Sequence, residues 1–167
     1  MDREEMSLEH RLRQEILLAR ERVYRFGQVT PMERLVLPGG GPEIWVKRED
    51  ISPVKAYKWR GACNRMAVLS PAQAARGVVT ASAGNHAQGV ALAARTLGIA
   101  ARIYMPRPTP RVKQAAVRHL GGEWVEIHLA GDAYDDAVAA ARLDEAASGA
   151  VYVVDGGNGQ VRKMTKN

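Results

Sequence analysis

Cysteine and aromatic side chains are scarce in this sequence: its 167 residues include one cysteine, three tryptophans, five tyrosines and a single phenylalanine. The lone thiol, Cys63, excludes an intramolecular disulfide and fits a reducing compartment. One cysteine with four scattered histidines gives no metal-ligand spacing, so no metal site is expected. Long apolar runs are also missing. Nothing approaches the length needed to cross a bilayer, and no apolar stretch follows the charged Met1–Glu5 start, which predicts no membrane partner and a cytoplasmic location.

Acidic charge is in deficit, with 18 Asp and Glu against 24 Lys and Arg, a net charge of +6 and an isoelectric point near 9.8. Such a balance raises a nucleic-acid partner, with Arg102, Arg107, Arg111, Lys113 and Arg118 as phosphate contacts. The basic residues are spread along the chain, aromatics are 5% and no nucleic-acid motif is present, so that partner is not expected.

What is present is an alternation of short β-rich runs with helical stretches. Strands are predicted at Ile44–Lys47, Gly77–Ala81, Ala101–Met105, Trp124–His128 and Val151–Val154. Ser70-Pro71 and Thr109-Pro110 read as helix starts, and Gly98, Gly121 and Gly149 stand where helix ends need a left-handed residue. Leu12, Ile16, Ala19 and Val23 form a helical stripe over Leu8–Phe26. The Pro38–Pro42 segment reads as a hairpin-like turn, and the Asp132–Ala147 stretch as a helix whose apolar stripe is Ala133, Ala137, Ala140, Ala141 and Leu143. This βαβ repetition predicts an α/β fold: an open parallel sheet with right-handed crossovers and helices on both faces.

Two segments carry chemistry. Lys58 lies in Ala56-Tyr57-Lys58-Trp59-Arg60-Gly61-Ala62, followed by the polar loop Ser82-Ala83-Gly84-Asn85-His86-Ala87-Gln88-Gly89 between a strand and an apolar helix. A lysine serves covalent catalysis when burial or neighbouring cations lower its pKa, and Arg60 and Lys55 are the nearby charges. Helix starts expose N–H groups that bind anions. Each segment alone has a plain reading, a surface lysine and a well-capped turn; their order within one α/β pattern favours an amine that captures an aldehyde cofactor. The basic cluster Lys47, Arg48, Lys55, Lys58 and Arg60 suits an anionic cofactor and a carboxylate substrate.

Val46-Lys47-Arg48-Glu49-Asp50, Tyr57-Lys58-Trp59-Arg60-Gly61-Ala62 and Ser82–Gly89 together resemble the threonine dehydratase family of pyridoxal-phosphate enzymes, over about residues 24–154. The resemblance implies that Lys58 holds the cofactor as an internal aldimine and later takes the substrate's α-proton. It implies that Asn85 bonds the ring's 3′-oxygen, that Tyr57 stands against the ring, and that Ser82, Gly84, Asn85 and His86 cradle the carboxylate of a small amino-acid substrate. The expected reaction is the dehydration and deamination of threonine, or of serine, to a 2-oxo acid and ammonia; the alternative is a catalytically inactive remnant. The family's fold divides the chain into an N-terminal segment of a large domain (1–52), a small α/β domain (53–154) and a tail (155–167) expected to be frayed. The family's glycine-rich phosphate loop has no counterpart here, since Asp155–Gln160 arrives too early in the chain. The resemblance allows a homo-oligomer in a full-length form.

Overall fold

A computed structural model describes residues 7–154. Helix α1 (Leu8–Val23) leads into an antiparallel hairpin, β1 (Met32–Leu35) and β2 (Ile44–Lys47), and a 3-10 turn at Glu49–Ile51. Then come α2 (Trp59–Ala67), α3 (Pro71–Arg76), β3 (Val78–Ala81), α4 (Asn85–Leu97), β4 (Ala101–Met105), α5 (Arg111–Gly121), β5 (Val125–Leu129), α6 (Tyr134–Ser148) and β6 (Val151–Tyr152). The four strands β5-β4-β3-β6, in that order, pair in parallel.

Helices cover both faces of this sheet. The β3-α4-β4 and β4-α5-β5 crossovers step in one direction, whereas α6 carries the chain back past two strands to the far side of β3; right-handed connection of both movements places α6 on the opposite face. Strand periodicity divides the core accordingly. Val78, Ile103 and Met105 join Val90, Ala91 and Ala94 of α4 in one buried cluster, while Val79 and Ala81 join Ala137 and Ala141 of α6 in the other. Val23 and Phe26, at the end of α1 and just beyond it, belong to the same cluster as Trp59 of α2.

Several boundaries move from their predicted places for local reasons. Ser70 caps α3 as expected, with reciprocal bonds to Gln73 and Pro71 in the first turn. Helix α5 instead starts at Arg111, with Pro110 before it and no side-chain cap; the Thr109 carbonyl accepts from Gln114 Nε2 at 2.9 Å. Gly98 and Gly149 take the left-handed conformation, whereas after α5 it is Gly122, not Gly121, that has a positive φ, of 58°. Gly121 is required by space: a Cβ there would lie 2.2 Å from Val125 Cγ2.

Strand β1 was not foreseen, because Met32-Glu33-Arg34-Leu35 is short with a charged middle. Its extended state follows from pairing with β2 across a loop whose Gly39, Gly40 and Gly41 all have positive φ. On α6, Leu143 is exposed and the inward face is Ala137 and Ala141, continued by Asp144. Leu143, two residues past Ala141, is turned off that face by helical geometry. Asp144, three residues past Ala141, stays on it and meets Arg102 of β4, whose Nε and guanidinium NH2 donate at 2.5 and 2.8 Å. Tyr104 Oη adds a bond at 3.0 Å. Arg102 is therefore committed to the fold, which removes one of the basic residues considered for phosphate contact. The frayed tail expected at 155–167 lies outside the described residues, and no described helix is long and apolar enough to cross a membrane.

Candidate active site

Ligands of parallel α/β sheets bind beyond the carboxyl ends of the strands, and the polar loop Ser82–Gly84 occupies that position after β3. The Ser82 amide bonds Tyr104 O at 3.0 Å, continuing the ladder by one residue, and Ser82 Oγ then accepts from Gly84 N at 3.3 Å. Ser82 is buried, Gly84 half-buried and Asn85 exposed as the first residue of α4. The first turn of α4 directs N–H groups at this loop. Gly84 has φ −135°, a conformation open to any residue, and a Cβ there would meet nothing within 4 Å. The loop backbone at Gly84 is thus open to close approach by a ligand.

Lys58 lies on the element that packs against α4. It immediately precedes α2 and is half-buried, next to Trp59, which is fully buried. A Cβ on Gly89 of α4 would stand 2.8 Å from Trp59 Cα and 3.3 Å from Trp59 N. Only glycine lets α4 approach the Lys58–Trp59 backbone so closely. Asn85 is four residues before Gly89 on the same helix face, so the Trp59 backbone packs against α4 one helical turn from Asn85. Gly89 is the positioning residue that sequence reasoning quoted in a motif without giving it a role.

The remaining predicted residues divide. Tyr57 is exposed, on the rim beside Lys58. His86 is buried with Nε2 3.1 Å from Val153 O, a carbonyl that also accepts from Thr80 Oγ1 at 2.7 Å. Its ring therefore links α4 to the residue that follows β6. Cys63 on α2 is buried in the core, where desolvation pushes its thiol up to about 12, the state of an inert packing residue. A groove of about 430 Å³ opens between α1 and α2, lined by Ile16, Leu17, Val23, Tyr24, Arg60 and Gly61 among others; it includes none of the six predicted site residues.

The segment before Lys58 is held by a polar cluster that sequence reasoning did not anticipate. Glu49 accepts from Thr30 Oγ1 at 2.7 Å and from Arg60 at 2.9 and 3.3 Å. Burial pushes the Glu49 carboxyl up, but the hydrogen bonds from Arg60 and Thr30 outweigh it and hold the group below its ordinary value. Arg60 also lies over the Trp59 ring at 4.7 Å and the Tyr24 ring at 5.4 Å. Buried Ser52 closes the intervening turn, accepting from Ala56 N at 3.1 Å and donating to Glu49 O at 2.7 Å, while Lys55 takes a left-handed φ of 55°. Arg60, read from sequence as a cation acting on Lys58, is thus neutralised by Glu49.

The family model described as pyridoxal-phosphate dependent enzyme matches residues 23–166. The L-threonine dehydratase biosynthetic IlvA of Haemophilus influenzae is 48% identical over 122 residues, 72% of this chain and 23% of that protein. Its namesake from Mycobacterium bovis is 46% identical over 113 residues, 68% of this chain and 26% of that one. Among solved structures, the processed form of threonine deaminase isoform 2 from Solanum lycopersicum superposes with a TM-score of 0.77 at 38% identity, over 87% of this chain and 40% of its own. Maize serine racemase gives 0.74 at 30% identity, over 85% and 43%. The chain spans about a quarter of the length of these curated relatives. With a matching model over most of its length and a helix-covered parallel sheet, this chain belongs to the family of pyridoxal-phosphate dependent enzymes.

Proposed function

We propose that the Lys58 site binds pyridoxal phosphate and serves the dehydration and deamination of threonine, with serine as the related substrate, to a 2-oxo acid and ammonia. The observation that supports the reading is the approach of Gly89 to the Trp59 backbone next to Lys58, on the helix that begins beside the open Gly84 backbone. The residues suit the group: Lys58 would hold its aldehyde carbon through the side-chain amine, Asn85 would offer a side-chain amide to the ring oxygen, and Tyr57 an aromatic face. When bound, the cofactor supplies an electron sink for the bond broken at the substrate's α-carbon. Ser82 Oγ and the first N–H groups of α4 hold the substrate carboxylate, fixing the α-carbon relative to Lys58. The Lys58 amine takes the α-proton, and the β-hydroxyl leaves as water. Hydrolysis then releases ammonia and, from threonine, 2-oxobutanoate. The names of the similar dehydratases and the threonine deaminase support this choice of substrate.

The test is direct. Incubation with pyridoxal phosphate, removal of the free cofactor and an absorbance spectrum should show a retained visible or near-ultraviolet band that Lys58→Ala abolishes, followed by ammonia release from threonine. No retained band, or one indifferent to Lys58, would sink the reading.

A further inference from the structure

We propose that Glu49, acting through Arg60, is a positioning residue for Lys58, and that the Thr30–Glu49–Arg60 cluster makes the reactivity of the lysine depend on the N-terminal hairpin segment. This inference rests on the reading of Lys58 as the cofactor-capturing amine.

Three separate stretches of chain meet in the cluster. Thr30 precedes β1, Glu49 follows β2, and Arg60 lies two residues past Lys58 in the first turn of α2. Arg60 NH2 bonds both Glu49 Oε1 at 2.9 Å and Thr30 Oγ1 at 3.3 Å, Thr30 Oγ1 donates to Glu49 at 2.7 Å, and Lys47 Nζ donates to the Thr30 carbonyl. The Arg60 and Glu49 side chains are only 22% and 17% exposed, so the pair is charge-assisted and sheltered from solvent screening. The Arg60 amide bonds the Tyr57 carbonyl at 3.1 Å, so any shift of Arg60 passes to the backbone on both sides of Lys58.

Neighbouring contacts leave little room for such a shift. Trp59 is clamped between Gly89 on one side and Gly27 on the other, where a Cβ would meet its ring at 3.0 Å. A neutral residue at position 49 would leave the Arg60 cation between two aromatic rings with its counter-charge gone. The guanidinium would turn toward water, and the first turn of α2 would move with it. A displacement of about 1 Å at a reacting group costs on the order of a hundredfold in rate. Ser52 and Lys55 shape the turn before Lys58 and Val54 packs it into the core, while the Thr30–Glu49–Arg60 cluster is what joins the helical turn after Lys58 to the hairpin segment.

The experiment compares wild type, Glu49→Gln and Glu49→Asp with Asp144→Asn, which breaks the comparable Arg102 pair across the sheet. Two readouts are taken: borohydride trapping of pyridoxal phosphate on Lys58, followed by peptide mass spectrometry over a range of pH, and amide hydrogen exchange at residues 56–61. Glu49→Gln should slow Lys58 trapping about ten- to a hundredfold and raise exchange at 56–61. Glu49→Asp should recover part of both, and Asp144→Asn should change neither more than about twofold. Wild-type trapping and exchange in Glu49→Gln would overturn the proposal, as would equal losses in Glu49→Gln and Asp144→Asn. Failure of the wild type to trap cofactor on Lys58 would overturn the cofactor reading instead, while exchange at 56–61 still decides the role of Glu49.

Discussion

Asp144 shows how one charged residue on an apolar face becomes a fold determinant. The hydrogen bonds from Arg102, with those of Tyr104 and Ser148, outweigh burial and hold its carboxyl below the ordinary value of 3.8. A lowered folded pKa means that the unfolded chain binds the proton more readily, so the contribution is complete above the ordinary value and is lost as pH falls through the folded one. Thermal melts should therefore lose midpoint temperature steeply in acid, and Asp144→Asn should lower the midpoint at neutral pH while flattening that acid limb; an unchanged limb would remove Asp144 from the account. Gly89 carries a different kind of constraint. Gly89→Ala places a methyl against the Trp59 backbone and should cost about 1–3 kcal/mol in chemical denaturation, with a weaker cofactor band than the stability loss explains. Lys58, Ser82 and Asn85 could be nominated from sequence because their neighbours form local motifs whose order can be read along the chain. The Glu49–Arg60 and Arg102–Asp144 pairs could not, since nothing in a linear sequence says which acid among 18 a given arginine will meet.

The elements differ in how far local sequence determines them. The apolar helix after Ser82–Gly89 and the strand Ala101–Met105 could be read from sequence, and they agree with one core in which Ala101, Ile103 and Met105 meet the apolar face of α4. The hairpin is the opposite case. All four residues of β1 are exposed, Trp45 of β2 is 54% exposed, and two strands alone are marginal in water. What ties the hairpin down is polar: the Thr30–Glu49–Arg60 cluster joins both of its flanks to α2. Amide exchange should find residues 32–47 far less protected than 78–105. Equal protection in the two regions would show that the hairpin is held by more than these contacts.

At the scale of the molecule, exposed apolar side chains are concentrated in the N-terminal third, at Leu8, Leu12, Ile16, Leu17, Leu18, Val36 and Trp45 among others, whereas the helix-covered sheet buries most of its own. The described fold is therefore a well-sealed α/β unit joined to a segment that packs on it mainly through Val23, Phe26 and the polar cluster. Brief subtilisin digestion should cut first in the 37–42 loop, where a Cβ on Gly39 or Gly40 meets nothing within 4 Å, and should leave a fragment containing residues 59–154 intact. Early cleavage within 78–129 would contradict that division.

The strand order also sets a schedule for synthesis. A chain leaving the ribosome from its N-terminus can pair β3 with β4 and β4 with β5 as each emerges, through short crossovers. The other side of β3 must wait for Val151 and Tyr152, and with them for the Val153 carbonyl that receives Thr80 and His86. The backbone flanking Ser82 and Gly84 therefore matures after the rest of the described sheet: the nascent chain exposes Lys58 long before the carbonyl that anchors the start of α4 has emerged.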